Sequence, residues 1–519
     1  MIELQSYLSG KWISGTGKHA ELKNPSTEAT LATASTEGVD FGAAHAFARD
    51  VGGPALRALS FAKRGEILRA MSRSIHTHRD ELLKLAIENG GNTRSDGKFD
   101  IDGASGTLAF YADLAAALGE GHVLEDGPAV QLTRSPRLFG GHVYVPRHGV
   151  AVHVNAFNFP AWGLAEKAAT ALLAGMPIIT KPATSTALVS FRMMQLMIEE
   201  KLLPEGALSF VAGSAGNLLD HLGGQDVLAF TGGSATANLL RGGKAALLHN
   251  VHVNVEADSL NAAVLGPDVG EGDDVWNQFL ADVARGVQQK TGQKCTAIRR
   301  VYVPKDKIAA VLEALKERLS AIKVGDPARE EVTMGPVSTA QQLNDARSGI
   351  EKLESCTKVV LGGKSAIEGI GAPSGKGYFV APTLLHGESP NPNDAVHNHE
   401  VFGPVTTVMP YASAEAVTSL VAGGGGGLVA SVYSDDKDFL RTVVLGIAPF
   451  HGRITIGSSK IAQQAVAPGL VLPSLLHGGP GRAGGGEELG GRRGLAFYMQ
   501  RVALQGDRAI VEALSGKRT

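Results

Sequence analysis

Only two cysteines, Cys295 and Cys356, occur in the 519 residues of this chain. So few cannot build a disulfide framework, which points to a reducing compartment. An excess of charge of one sign is also missing, since 49 Lys+Arg stand against 51 Asp+Glu for a formal net charge of -2. Without a basic block the chain has no grip on nucleic acid or anionic lipid. A long hydrophobic run is absent too. The longest apolar stretch, 163–181, is interrupted by Glu166, Lys167, Pro177 and Lys181, so a membrane-spanning helix is not expected. The start, MIELQSYLSGKWISG, has no charged region leading into an apolar one and does not read as a secretory signal. The expectation is a soluble, cytoplasmic protein. No metal is expected either, because none of the 16 histidines pairs with a cysteine at ligand spacing and His397 and His399 fall in an expected loop.

What the chain does have is an ordinary globular composition, 44% hydrophobic and 19% charged, at a length that implies two or three domains. Residues 62–88 place Ile67, Leu68, Met71, Ile75, Leu82 and Leu83 on one stripe, predicting a helix that ends at Gly90-Gly91. Residues 129–154 change to short strands parted by Pro136 and Gly140-Gly141, a β-hairpin pattern. Strand and helix then alternate: GVAVHVN, helix 161–174, PIIT, helix 186–201, ALSFVAG, helix 215–223, VLAFTG, helix 234–243 and VHVNVEA. Such alternation predicts βαβ units and a parallel sheet. A second α/β stretch follows from about 260 to 480, with a long helix at 306–321, and AFYMQRVALQG reads as a final strand. Two glycine-rich tracts, 423–427 and 478–491, lack a GxxxxGK[ST] pattern and read as loops.

The rare Cys295 sits in TGQKCTAIRR, beside Lys294, Arg299 and Arg300. Nearby cations favour thiolate over thiol, although a lone cysteine is also a common small core residue. Its companions decide the matter by their order: FNFP (157–160), TKPA (180–183), FTGGSATAN (230–238), NVEADSLN (254–261), TGQKC, and EVFGP (400–404). FTGGSATAN joins a strand to a helix, so its backbone N–H groups face the edge of the sheet where anionic ligands bind. With GDP (325–327), MGP (334–336) and GYFVAPT (377–383), this series strongly resembles the aldehyde dehydrogenase superfamily over almost the whole chain. EADSLN and HGGPGRAGGGEELGG resemble one subgroup, which oxidises CoA-linked semialdehydes released by ring cleavage in aerobic aromatic catabolism. Phenylacetate-pathway relatives carry a further C-terminal hydratase domain, for which a chain ending at Thr519 has no room. That favours the benzoyl-CoA branch.

The resemblance implies an α/β fold: a Rossmann-like parallel-sheet cofactor domain, a second α/β catalytic domain and a small β oligomerisation domain. The boundaries are expected at 1–127 and 150–258 for the dinucleotide-binding domain, 259–482 for the catalytic domain, and 128–149 with 490–519 for oligomerisation. It also implies roles. Cys295 is the nucleophile, Asn158 an oxyanion donor (though it also stands where a helix N-cap would), Glu256 the base that activates water, and Glu488 an assistant in proton removal. Lys181, Thr184, Phe157, Thr231, Gly232, Gly233, Ser234, Glu400 and Phe402 are the expected cofactor contacts. Thr184 stands where NAD-preferring relatives carry glutamate, so NADP is expected over NAD. Other departures are Asp258-Ser259 in place of Gly-Gly and Glu487 in place of arginine. The expected reaction is oxidation of a CoA-linked aliphatic semialdehyde, by a homodimer or alternatively a tetramer. A general medium-chain aldehyde dehydrogenase is the alternative. A CoA-acylating enzyme is another, but it generally lacks the glutamate base. The tract around Arg482 is a candidate contact for the CoA tail, and Cys356 is a bystander.

Overall fold

A computed structural model of the chain describes residues 2–515. Met1 and 516–519, at the outer ends of the expected domains, lie outside the described residues. Two seven-stranded sheets dominate. In the first, strands His252–Glu256, Val227–Thr231, Ala151–Val154, Ile178–Lys181 and Leu208–Phe210 run parallel in that order, and Ser6–Leu8 with Lys11–Ile13 close one edge antiparallel. The chain leaves Ala151–Val154 first towards Ile178–Lys181 and later returns to its other side through Val227–Thr231. The order of strands therefore reverses at Ala151–Val154, and a crevice opens at the carboxyl ends there. FNFP and FTGG leave the sheet at that crevice.

The second sheet runs Lys358–Leu361, Thr383–His386, Val405–Tyr411, Arg300–Pro304, Ala262–Leu265, Gly427–Tyr433 and His451–Gly457, parallel except for Lys358–Leu361. Its five inner strands are buried almost throughout, and near-continuous Val and Ala runs such as GLVASVY suit a sheet covered on both faces. A third sheet pairs Leu138–Pro146 with Met499–Asp507 antiparallel over nine residues, joined by Leu124–Glu125 and Val130–Gln131. The expected excursion and terminal strand thus do meet.

Several expectations change in detail. The stripe at 62–88 is two helices, Phe61–Thr77 and Arg79–Gly90, broken at His78 and closed by Gly91. Between 215 and 223 only a short 3-10 turn forms, Leu218–His221. The early strands Ile2–Leu4, Ala20–Lys23 and Thr30–Ala34 gave no signal, being only three to five residues long and partly polar. The tract at 478–491 is not a plain loop: Leu476–Gly478 and Glu487–Leu489 form a hairpin. In the other tract, Gly427 opens a core strand. His397 lies buried in the short helix Ala395–Asn398, against Arg300.

Candidate active site

Cys295 lies in an irregular segment between helix Asp274–Gln288 and strand Arg300–Pro304. That segment is held against its own preferences. Lys290 and Thr291 adopt left-handed φ values of 57° and 55°, a strained state for side chains of this size. The Lys290 N–H donates to Asp96 Oδ1 at 2.9 Å, and Thr291 Oγ1 to Gly335 O at 2.9 Å. Gly292 is required, because a Cβ there would lie 2.1 Å from Gly403 O. Asn261 fixes the nucleophile's backbone: its Nδ2 donates to Cys295 O and to Ala297 O, both at 2.8 Å.

Ser259, one half of the unusual Asp258-Ser259 pair, braces Asn261 by donating from Oγ to Asn261 Oδ1 at 2.6 Å. Its N–H donates to Glu400 Oε2 at 2.8 Å. Asp258 accepts from Ser234 N at 3.1 Å, at the start of helix Ser234–Arg241. The pair therefore has work of its own: it ties the segment after Glu256 to helix Ser234–Arg241 and to EVFGP.

Around the sulfur the structure assembles a buried charge cluster. His477 Nε2 lies 3.0 Å from Glu256 Oε2 and 3.9 Å from Cys295 Sγ. Behind them Lys167 Nζ reaches Glu166 Oε1 at 3.1 Å, Glu488 Oε2 at 3.2 Å and Thr231 Oγ1 at 2.8 Å. One carboxylate oxygen each from Glu166, Glu256 and Glu488 lies within 4.8 Å of the others. Asn254 Nδ2 donates to Glu488 Oε1 at 3.2 Å.

Burial would raise the Glu256 carboxyl, but the His477 imidazole and the Lys167 ammonium outweigh it and hold it at about 2. The same pairing lifts His477 above its ordinary value against its own desolvation. Glu166, by contrast, is pushed up to about 8 by burial. Burial also pushes the Cys295 thiol well up, and the Glu256 carboxylate adds to this. The expected thiolate-favouring cations have their hydrogen bonds elsewhere. Arg299 is turned to Glu400 and Gly403 O, Arg300 to Leu260 O and Val421 O, and Lys294 Nζ to Gln289 Oε1. Neighbours in sequence fan out to different sides of an irregular loop, and burial with the Glu256 carboxylate outweighs their charge at the thiol.

Asn158 does not cap its helix. Asp100 takes that place, accepting from Ala161 N and Trp162 N at 3.3 and 2.8 Å. The Asn158 amide instead donates to Gln293 O at 3.0 Å, within the Cys295 loop.

Two cavities meet at this cluster. One of about 460 Å³ is lined by Phe157, Gly232, Gly233, Glu400 and Phe402 among others. A narrow one of about 40 Å³ is lined by Phe99, Phe159, Trp162, Val471 and His477 among others. Asn158, Thr231, Glu256 and Cys295 line both. Beyond Phe99, Trp162 and Val471 an outer depression of about 530 Å³ opens, with Lys98 on its rim.

The larger cavity fits a dinucleotide's reactive half. Phe157 and Phe402 meet edge to face at 5.8 Å. Beside them the buried Glu400 carboxylate can accept from a ribose hydroxyl, and space is open over Gly233. Lys181 and Thr184 lie past Ala183, which lines that cavity, and burial lowers the Lys181 ammonium to about 8. Arg482 also lines the larger cavity, its Nη2 donating to Asn398 O at 2.8 Å. It is not at the outer depression beyond Trp162, so the expected contact between Arg482 and a CoA tail entering from that side is withdrawn. Cys356 packs partly buried at the edge of the second core.

His477, Lys167 and Glu166 went unread in the sequence. Two charges inside the apolar helix Pro160–Leu173 were the available signal for Lys167 and Glu166. For His477 there was only its place in HGGPGRAGGGEELGG, because 182 residues separate it from Cys295.

A half-buried thiol, a carboxylate and a side-chain amide thus stand between a narrow, largely apolar cavity and a dinucleotide-sized cleft. The aldehyde dehydrogenase family model matches residues 12–503, and the chain belongs to that family as an NAD(P)-dependent aldehyde dehydrogenase. It is 42% identical over 479 residues to the 3,4-dehydroadipyl-CoA semialdehyde dehydrogenase of Aromatoleum evansii, spanning 92% of this chain and 93% of that relative. It is 26% identical to the alpha-ketoglutaric semialdehyde dehydrogenase of Bacillus subtilis, over 90% of this chain and 92% of that one. Among solved structures, the NAD+ complex of the Bacillus cereus aldehyde dehydrogenase shares the fold at a TM-score of 0.83. It is 24% identical, over 98% of this chain and 97% of that one.

Proposed function

We propose that the enzyme uses NADP to oxidise an aliphatic semialdehyde whose far end is a CoA thioester, as in 3,4-dehydroadipyl-CoA semialdehyde, within aerobic benzoyl-CoA degradation. The observation that carries the chemistry is the meeting of two cavities at Cys295, Glu256 and Asn158. Aldehyde enters from one side and the hydride leaves to the other. The Cys295 sulfur adds to the carbonyl carbon, and its proton passes into the carboxylate cluster. The Asn158 amide swings from Gln293 O to the new oxyanion, joined by the Cys295 N–H. The nicotinamide, when bound, supplies the hydride acceptor. Loss of hydride leaves a thioester on Cys295. Glu256, whose Oε1 is buried without a hydrogen-bond partner, then takes a proton from the attacking water. Lys167, Glu166 and Glu488 form the route by which protons leave. Glu256 also weighs against a CoA-acylating reaction, which needs no base for water.

On the cofactor side, Phe157 and Phe402 would hold the ring, Glu400 the nicotinamide ribose, and Lys181 with Thr184 the adenosine ribose and its phosphate. Thr231, Gly232, Gly233 and Ser234 would contact the diphosphate. The two α/β sheets serve as cofactor and catalytic domains, and the third sheet joins subunits.

The 42% identity to the CoA-semialdehyde enzyme supports the substrate. The narrow tunnel behind Trp162 suits an unbranched chain, and the outer depression can receive the pantetheine arm. A remote tail can spend its binding energy on positioning the aldehyde. The test compares a C6 CoA semialdehyde with medium-chain n-alkanals under NADP. The conjugate should have the higher kcat/KM, and Lys98→Glu should raise its KM roughly fivefold at low salt while leaving alkanals unchanged. Equal kcat/KM for both substrate types would leave a general medium-chain aldehyde dehydrogenase.

A further inference from the structure

We propose that His477 carries a proton between Glu256 and the Cys295 sulfur during hydrolysis of the thioester. The proposal rests on the reading of Cys295 as nucleophile and Glu256 as base. One nitrogen, Nε2, faces both groups, at 3.0 Å from Glu256 Oε2 and 3.9 Å from Sγ. The imidazole is held there by a hairpin in which His477 pairs directly across from Glu488. The other Glu256 oxygen, Oε1, has no partner and is left for water.

The need for a carrier follows from burial. Thioester hydrolysis expels Cys295 as a thiolate, and this site disfavours the thiolate strongly. Glu256 is occupied at that moment by the proton it has taken from water. The His477 imidazolium reaches both, from one nitrogen. In the step, a water O–H proton moves to Glu256 as the C–O bond forms. The C–S bond then breaks with its electron pair going to sulfur, and the Nε2 proton moves to Sγ. The proton on Glu256 returns to Nε2, which restores carboxylate, imidazolium and thiol and leaves the free acid. Facing His477 are Glu256 from strand His252–Glu256, Glu166 and Lys167 from helix Pro160–Leu173, Arg453 from strand His451–Gly457 and Glu488 across the hairpin. The Glu256 carboxylate keeps the imidazole charged above its ordinary range, so kcat should fall on the alkaline side as that proton is lost.

The experiment is rapid-quench and stopped-flow kinetics with hexanal and NADP on His477→Gln, whose amide still donates to Glu256 but carries no mobile proton. The expected result is an NADPH burst within about threefold of wild type. Steady-state turnover should slow about a hundredfold, with acyl-enzyme in the intact mass and the alkaline fall in kcat abolished. Turnover within about threefold of wild type with the alkaline fall intact would overturn the proposal, as would a lost burst with normal hydrolysis of preformed acyl-enzyme. Should His477→Gln misfold, the wild type decides: an alkaline fall in kcat without one in the burst rate supports the carrier, and a flat kcat overturns it. Glu256→Gln, run alongside, separates the two readings. If it stalls while His477→Gln turns over, only the carrier fails; if Glu256→Gln turns over, the base itself is wrong.

Discussion

At the scale of single residues, the proposed chemistry divides between Cys295 and Glu256. Cys295→Ala should abolish oxidation, because no other described thiol reaches the cavities. Glu256→Gln should still transfer hydride once but stall at the acyl-enzyme, detectable by intact mass. On the proposed reading, cofactor choice turns on Thr184. Thr184→Glu would set a carboxylate against the ribose 2′-phosphate and cost about 1–3 kcal/mol, so the ratio of kcat/KM values should move about 5–150-fold towards NAD. Equal use of both cofactors by the wild type would mean that Thr184 only tolerates the phosphate.

The Glu256–His477 pair also has a signature in stability. The Glu256 carboxyl is held at about 2 from an ordinary 4.5, and His477 is raised from 6.5. The Glu256 contribution is therefore full above pH 4.5 and lost as pH falls towards 2. The His477 contribution is full below pH 6.5 and lost as pH rises through the raised value. The Tm difference between wild type and His477→Gln should be largest between those limits and shrink on both sides, as differential scanning calorimetry across pH would report.

At the scale of elements, the hairpin Leu476–Gly478 and Glu487–Leu489 matters most, because one strand brings His477 and the other Glu488 into the same cluster. Gly478 permits the close return: its φ is 152°, and a Cβ there would lie 2.0 Å from Gly486 O. Gly478→Ala should push the arms apart and lower kcat about a hundredfold by displacing both side chains, with KM for NADP little changed. Steady-state kinetics beside a Tm measurement would separate this from general unfolding. Helix Pro160–Leu173 is the second such element. Its apolar face and Asp100 cap fix its position, and that fixes Lys167 and Glu166 at the sulfur's back.

At the scale of the whole molecule, Met499–Asp507 is an edge strand nine residues long, paired among the described residues on one side only and largely exposed. Left open, such an edge invites pairing with a second copy. Val130, Leu132 and Leu138 are exposed on the same sheet, and Leu239, Leu247 and Leu248 on the cofactor-side helices. A homodimer is expected, seen by light scattering as about twice 53.9 kDa. Val502→Lys with Ala503→Lys should shift it towards monomer. A monomer at every concentration in the wild type would contradict the proposed interface.

The alternation of strand and helix from GVAVHVN to VHVNVEA was enough for the parallel sheet, since parallel strands are buried and need crossovers, most of which are helices here. The ordered motifs carried the family resemblance that singled out Cys295, Asn158, Glu256, Glu400 and Phe402, and all five line the larger cavity. What sequence could not determine is set by contacts between distant segments. Whether Lys294 and Arg299 charge the sulfur, whether Asn158 caps a helix, and which side Arg482 faces depend on how an irregular loop turns after long-range packing. His477 is the plainest case. Its local setting is a glycine-rich tract, and nothing within ten residues hints at a thiol. Only the hairpin's return past strand His252–Glu256 brings it to Glu256 and Cys295. The chain's periodicity decides its elements because that is a matter of local burial; a charge cluster spread over more than 300 residues, from Glu166 to Glu488, exists only once both sheets have closed on each other.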